Sequence, residues 1–269
     1  MQIIIVCATV VVLYLISIMP RILHRPDTDC LQGWFYAHRG LHDNQSDAPE
    51  NSMASIRKAV EAGYGIEFDV QLTKDRIPVV FHDENLKRAC GVSGNVRDYT
   101  YKELLQFRLF ESEEQIPLFS EVLKNVGGCV PLIIEIKVHE DYLKVCSHID
   151  AVLERYNGAY CIESFQPQAV WWYKKHRPQV VRGQLSCKLN NGKDKYSLAK
   201  WAATYLLANF VTKPDFIAYD HKYAENISRR LCRNIYRALG VAWTIRSQEE
   251  LEKARDRFDL FIFEGFIPK

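Results

Sequence analysis

GIEFDVQLTKDRIPVVFHD, residues 65–83, decides the fold. Its first eight residues read as a β-strand rich in branched and aromatic side chains, and PVVFH, residues 78–82, reads as a second. Only TKDRI separates the two runs, whereas a parallel connection needs about a dozen residues or more. The second run must therefore return antiparallel, as the other arm of a hairpin. With the turn centred near Asp75, paired residue numbers sum to about 150, which sets His82 opposite Phe68 and beside Glu67 and Asp69.

Outward from this hairpin, β-rich runs occupy residues 34–38, 131–137, 159–164, 180–185, 215–220, 241–246 and 259–264. Helical patterns such as SMASIRKAVEAG, EDYLKVCSHIDAVLERY and SQEELEKARDR lie between most of them. Setting the return arm aside leaves eight strands over about 235 residues, the pattern of an α/β protein with a (β/α)8 barrel spanning residues 34–269. A doubly wound open sheet is the alternative, but no glycine-rich phosphate turn follows any strand. The 48% hydrophobic and 25% charged composition is that of a globular protein, and 269 residues suffice for one large domain. A net charge of +2, with no basic stripe carrying interleaved aromatics, argues against a nucleic-acid partner, and nothing points to a protein partner. The eight cysteines form no CxxC pair, so zinc and thiol-redox centres are disfavoured and free thiols in a reducing compartment are expected.

Residues 3–19, IIIVCATVVVLYLISIM, are apolar and uncharged, near the lower length limit for crossing a bilayer. They predict one transmembrane anchor within residues 1–23, joined to the barrel by a polar linker, 24–33. A cleaved signal peptide fits less well, because no Lys or Arg precedes the run. Arg21 and Arg25 flank only its C-terminal side, which predicts a single-pass cell-membrane protein with its body in the cytoplasm. A second apolar stretch, SLAKWAATYLLANFV at 197–211, reads as a barrel helix packed on the sheet or as a membrane-facing lid.

In such a barrel the site forms at the C-terminal strand ends. His38 and Arg39 end the first strand, an acid/base candidate beside a phosphate clamp. Glu67 and Asp69, two residues apart on one strand, face the same way, and two buried carboxylates need a cation or salt bridges to Arg or Lys. Asp83 follows His82 and is placed to orient its ring. Glu135 and Lys137 form another same-face pair. Three carboxylates make a hard oxygen set suited to one divalent ion, Mg²⁺ or Ca²⁺, leaving Lys137 for an anionic substrate. A divalent ion, two histidines and two cationic contacts fit phosphodiester hydrolysis.

AHRG (37–40), APENS (48–52), EFDVQLTKD (67–75), PVVFHD (78–83), IEIK (134–137), ESF (163–165) and AWT (242–244) resemble the glycerophosphodiester phosphodiesterase family in order and spacing. The resemblance covers the chain after the apolar run. It implies a distorted TIM barrel in which His38 and His82 are the catalytic acid/base pair. Glu67, Asp69 and Glu135 would bind the metal, and Arg39 and Lys137 the phosphate. Glu50 corresponds to the family's PEN glutamate and is grouped with these substrate contacts, while Asn51 fixes the loop. Phe165 and Trp243 would line the substrate pocket. The implied reaction is in-line attack on phosphorus by the substrate's own glycerol hydroxyl, followed by hydrolysis of a cyclic phosphate.

The chain departs from the family near its end, where Glu264 stands in place of the usual aspartate of a Thr-Asp pair. The expected substrates are small glycerophosphodiesters or lysolipids. A lysophospholipase D, a phosphatidylinositol-type phospholipase C and a non-catalytic membrane-bound binding protein are the competing readings.

Overall fold

The computed structural model describes residues 1–189 and 197–269. Nine strands form one sheet: β1 (Phe35–His38), β2 (Gly65–Leu72), β3 (Pro78–Val80), β4 (Leu132–Ile136), β5 (Tyr160–Ser164), β6 (Val181–Ser186), β7 (Phe216–Asp220), β8 (Leu239–Ile245) and β9 (Leu260–Phe263). Eight pair in parallel around the order β1-β9-β8-β7-β6-β5-β4-β2, and β1 also pairs with β2, so the sheet closes into a barrel. The ninth, β3, pairs antiparallel with β2 through Val70↔Val80, Gln71↔Val79 and Leu72↔Pro78. The hairpin register anticipated from the sequence is therefore the one present.

The N-terminal helix is α1 (Gln2–Ile18). The others are α2 (Met53–Glu61), α3 (Lys87–Cys90), α4 (Tyr101–Leu104), α5 (Phe119–Val126), α6 (Tyr142–Leu153), α7 (Pro167–His176), α8 (Leu198–Thr204), α9 (Asn209–Thr212), α10 (Ile227–Asn234) and α11 (Gln248–Arg255). All eight residues of β2 are buried, as befits a strand covered on both faces. One apolar cluster lies between the sheet and its helices, including Ile66, Phe68, Ile134 and Ile162. A second fills the barrel interior with Tyr36, Ile133, Val181, Phe216 and Leu260. A third, around Phe81, Leu86, Val96 and Leu109, belongs to the excursion between β3 and α5.

Two expectations about the apolar stretches change. Among the described residues, no helix is long and apolar enough to cross a membrane. The 17 residues of α1 span about 26 Å at 1.5 Å per residue, short of the roughly 30 Å hydrocarbon layer. Its last turn is also committed elsewhere: Ile18 is fully buried in the core, and the Ile18 carbonyl accepts from Asn209 Nδ2 at 3.0 Å. Residues 24–33, expected as a linker, run beneath the barrel, where Leu31 is buried in the interior cluster and its carbonyl accepts the Tyr36 hydroxyl at 2.6 Å. The 197–211 stretch is two short helices rather than one, broken where Leu206 takes a positive φ of 58°.

Close approach between β6 and β7 depends on Gly183, whose missing side chain makes room for the buried Phe216 ring: a Cβ there would meet ring atoms at 2.1 and 2.2 Å. Gly183→Ala should destabilise the protein by about 1–3 kcal/mol, the usual penalty for overpacking. Urea denaturation checks this; an unchanged midpoint would mean that the β6–β7 interface yields freely.

Candidate active site

Register assembles the site. His38 is the Cα partner of Glu67 across β1–β2, Asp69 partners Glu135 across β2–β4, and Glu135 partners Glu163 across β4–β5. Four acidic side chains thus meet at the C-terminal end of three adjacent strands. Glu67, Asp69, Glu135 and Glu163 are all at least 94% buried, with relative exposures of 3%, 1%, 6% and 1%. Glu67, Asp69 and Glu135 each offer an oxygen within 4.8 Å of the others, so this group could hold a metal ion.

The protein's own cations only partly balance that charge. Lys137 Nζ lies 3.0 Å from Asp69 Oδ1 and 2.8 Å from Glu135 Oε2, and Arg39 Nε is 3.3 Å from Asp69 Oδ2. These are the salt bridges weighed above as the alternative to a metal. Arg39, however, also binds Glu50 at 2.7 Å, so its charge is shared. Burial pushes Glu67 well above the usual carboxylate range, and Asp69, Glu163 and Glu135 push it further. Glu163 is likewise driven well up by burial and then by Glu135. Burial opposes ionisation of Asp69 too, but Lys137 and Arg39 overcome it and hold its carboxyl well below the usual range. Glu135 Oε1 and Glu163 Oε2 are buried without a hydrogen-bond partner. Unpaired buried oxygens beside surplus negative charge fit a hard divalent cation.

Both histidines reach the same cavity, of about 200 Å³, which is also lined by Glu67, Glu135, Lys137 and Glu163. His38 Nδ1 lies 2.5 Å from Glu264 Oε2, and His82 Nδ1 lies 2.6 Å from Asp83 Oδ1. A carboxylate only accepts, so each ring donates from Nδ1 and leaves Nε2 as its exchangeable position. Burial holds the His38 pKa down at about 4 against the opposing pull of Glu264, so this ring is neutral at physiological pH. Glu264, whose place in the sequence departs from the family pattern, is thus the carboxylate that orients His38. It also meets Arg246 at 3.3 Å. His42 stands near this pair and forms a second donor group with His38 and Glu264, but Glu264 is already engaged by His38.

The loop after β1 shows why the AHRG and APENS residues are needed. Arg39, Gly40 and Asn51 have φ of 56°, 81° and 58°. At Gly40 a Cβ would fall 2.5 Å from Ser55 Oγ and 2.7 Å from the Ser55 backbone, so only glycine fits. Asn51 N donates to Arg39 O at 2.9 Å, and Asn51 Nδ2 donates to Asp69 Oδ2 at 2.9 Å, tying the loop to a carboxylate of the cluster. Ser52 then caps α2 by accepting from Ser55 N.

Glu50, grouped in the sequence with the substrate contacts, does not line the cavity. It binds Arg39 and Arg88 instead, accepting from Arg88 at 2.6 and 2.9 Å. Phe165 and Trp243 do line the cavity and pack edge to face, with ring centroids 5.6 Å apart. Sequence reading did not single out Glu163, Asp220, Lys222 or Arg246, which share that lining. Glu163 had a usable signal, since it is an acidic residue near a strand's C-terminal end within the quoted ESF motif. Asp220 lay at the end of a quoted strand, while nothing in the spacing of Lys222 marked it. A larger surface cleft of about 1190 Å³, around Asn44–Asp47 and Phe110–Glu114, gathers no comparable set of acid, base and buried carboxylates.

Comparison with known proteins agrees with this geometry. The profile of the glycerophosphoryl diester phosphodiesterase family matches residues 38–258. A glycerophosphodiester phosphodiesterase of Bacillus altitudinis is 32% identical over 173 residues, covering 60% of this chain and 69% of that protein. A human lysophospholipase D is 33% identical over 157 residues, 54% of this chain and 48% of its own length. The chain thus spans between about two fifths and three quarters of the length of the curated relatives it matches. A glycerophosphodiester phosphodiesterase structure from Thermotoga maritima superposes with a TM-score of 0.64 at 26% identity, covering 85% of this chain and 93% of that one. An Oleispira antarctica phosphodiesterase, solved with the product sn-glycerol-3-phosphate, shares the fold with a TM-score of 0.70 at 22% identity, covering 87% of this chain and 93% of that one. The match over residues 38–258, on the barrel that carries His38, His82 and the acidic cluster, places this chain in the glycerophosphoryl diester phosphodiesterase family.

Proposed function

We propose that this chain hydrolyses glycerophosphodiesters to sn-glycerol 3-phosphate and an alcohol. One divalent cation, Mg²⁺ or Ca²⁺, is held by Glu67, Asp69 and Glu135. The observation that carries the reading is the convergence, in one cavity, of two carboxylate-oriented imidazoles with a cluster of buried carboxylates that two basic side chains do not neutralise. The family match and the similarity to glycerophosphodiester phosphodiesterases support it.

A bound divalent ion supplies Lewis acidity at the phosphoryl group. Lys137 and Arg39 offset charge on the phosphate oxygens as the transition state forms. One imidazole Nε2 takes the proton of the substrate's glycerol hydroxyl as its oxygen bonds to phosphorus. The other gives a proton to the departing alcohol oxygen as the P–O bond breaks. Water then opens the cyclic phosphate with the two rings in exchanged roles. Phe165 and Trp243 form the cavity wall, and Glu50 acts through Arg39 rather than on the substrate.

A lysophospholipid is the second substrate reading, favoured by exposed apolar residues on α1 and α8, among them Val10, Leu13, Leu198 and Trp201. In this reading the protein is associated with a cell membrane through α1, with its barrel on the cytoplasmic side. Arg21 and Arg25 are the sequence support for that side, although Arg21 also meets Asp215 at 3.5 Å and Arg25 Nη1 donates to the Arg237 carbonyl at 2.6 Å. A reporter fused after Lys269 that works only outside the cell would reverse the placement.

Titrating Mg²⁺ or Ca²⁺ into the metal-stripped protein should raise its stability, by about 2.7 kcal/mol at a hundredfold excess over Kd. Glu67→Gln and Glu135→Gln should remove the effect, and chelator should abolish turnover. Stability and activity indifferent to metal would exclude the cation. His38→Ala and His82→Ala should each lose about 10²- to 10⁴-fold in kcat while keeping metal binding. Groups acting as one unit are non-additive, so the double variant should be little worse than either single. Near-normal kcat in either single variant, tested on glycerophosphocholine, lysophosphatidylcholine and phosphatidylinositol, would make that histidine structural.

A further inference from the structure

The path of α1 relative to the barrel fixes which end of the molecule its exposed part lies beside. The Tyr14 hydroxyl hydrogen-bonds Ser228 Oγ at 2.7 Å in the first turn of α10, and one turn further on the Ile18 carbonyl accepts from Cys232 Sγ at 3.3 Å. Since α10 starts beyond the C-terminal end of β7 and runs down to the start of β8, α1 descends beside it in the same direction. The chain then continues under the barrel, where Arg21 N donates to the Pro214 carbonyl ahead of β7 and Arg25 bonds the Tyr236 and Arg237 carbonyls ahead of β8. The part of α1 before Tyr14 must therefore rise past the catalytic end. Residues 3–13 are exposed, carry no charge and extend about 17 Å at 1.5 Å per residue.

Helix α8 lies at the same end of the barrel. The Ala203 carbonyl accepts from Ser186 Oγ at the C-terminal end of β6, and Tyr205, which caps α8 near the Tyr14 phenol, has its ring 5.3 Å from that of Trp201. Leu198 is 71% exposed, and Ile227 and Tyr223 add further apolar surface at the same rim. Lys222, on this rim, lines the cavity, and Lys188 lies over the Tyr223 ring. The nearby Glu225 is neutralised by Arg230 and Arg257.

We propose that this protein docks its catalytic face on a lipid bilayer, with the exposed part of α1 inserted among the acyl chains and α8 seated at the headgroups, so that the cavity opens at the membrane surface. A protein groove covers one stripe of a helix, whereas residues 3–13 of α1 are apolar on every side, a surface that hydrocarbon solvates all round. Cationic Lys188 and Lys222 meet anionic headgroups. The barrel's opposite end, where Cys30 and Cys129 are exposed, faces water. The substrate of the proposed hydrolase then reaches the cavity from the bilayer. Only this last step rests on the hydrolase reading.

The experiment uses the full chain carrying a polarity-sensitive label at one exposed thiol at a time: native Cys7 on α1, native Cys129 at the far end, or Leu198→Cys on α8, with the other exposed cysteines changed to serine and folding checked by thermal melting. On phosphatidylcholine vesicles containing phosphatidylglycerol, labels at 7 and 198 should be shielded from an aqueous quencher and reached by a lipid-borne one, and the label at 129 should be neither. A label at 198 that stays in water, a label at 129 that enters lipid, or no vesicle binding would overturn the proposal. In parallel, Leu198→Glu combined with Trp201→Glu should slow turnover of vesicle-borne lysophosphatidylcholine about tenfold and leave soluble glycerophosphocholine turnover unchanged. Equal effects on both substrates would count against docking. If the unmodified protein turned over neither diester, the hydrolase reading would fail, and the labels would still decide the docking.

Discussion

Four carboxylates buried at one end of a barrel, facing two cations of which one is shared, are the constraint around which the rest of this molecule is arranged. Burying an unpaired charge costs several kcal/mol even after relaxation, more than a domain can readily spare from a total stability of about 5–15 kcal/mol. The cluster therefore persists only if the surrounding structure holds it open and something balances it. Lys137 lies between Asp69 and Glu135, Arg39 is brought to Asp69 by a loop with three left-handed residues, and Asn51 donates to the same carboxylate. Each of these is a local concession in backbone freedom or side-chain entropy that makes sense only with the acidic cluster in view.

The same constraint separates the barrel into a lower half that supplies stability and an upper half that supplies chemistry. Below the site the interior is closed by Leu31, Tyr36, Ile133 and Phe216, packed tightly enough that β6 must carry a glycine where the Phe216 ring approaches. Above it, the side chains are charged and oriented in pairs, each imidazole by its own carboxylate. Such pairing fixes ring direction and tautomer in advance, as a carboxylate beside an imidazole generally does.

Most of this was legible in the sequence because it is carried by short-range periodicity. Residues two apart on a strand share a face, so Glu67 with Asp69 and Glu135 with Lys137 could be paired from spacing alone, and the five-residue gap before Pro78 was too short for anything but a hairpin. What stayed hidden depends on contacts between residues far apart in the chain. Glu264 lies 226 residues from His38, and no local pattern says that its carboxylate meets Nδ1 of that ring. The partners of Glu50 were hidden for a similar reason: its motif set it near the metal site, and Arg88, contributed by the excursion after β3, joins Arg39 in holding it there. Hydropathy marked the apolar run at the N-terminus but not where it stops being free: Tyr14 and Leu15 pack on the core and Ile18 is buried within it.

Arg88 gives the excursion between β3 and α5 a significance that its position at the surface conceals. Its guanidinium bridges Asp83, the partner of His82, to Glu50, the partner of Arg39, while its own side chain is 44% exposed. Acid and base alternate in an unbroken series from His82 through Asp83, Arg88, Glu50 and Arg39 to Asp69. If Arg88 were lost, Glu50 would be left to Arg39 and Asn44, and Asp83 to His82, so both ends of the series would be affected at once. Arg39 and the His82 imidazole are thereby linked to a single solvent-facing position, and drift in a peripheral segment can shift the charge balance at both without altering either residue.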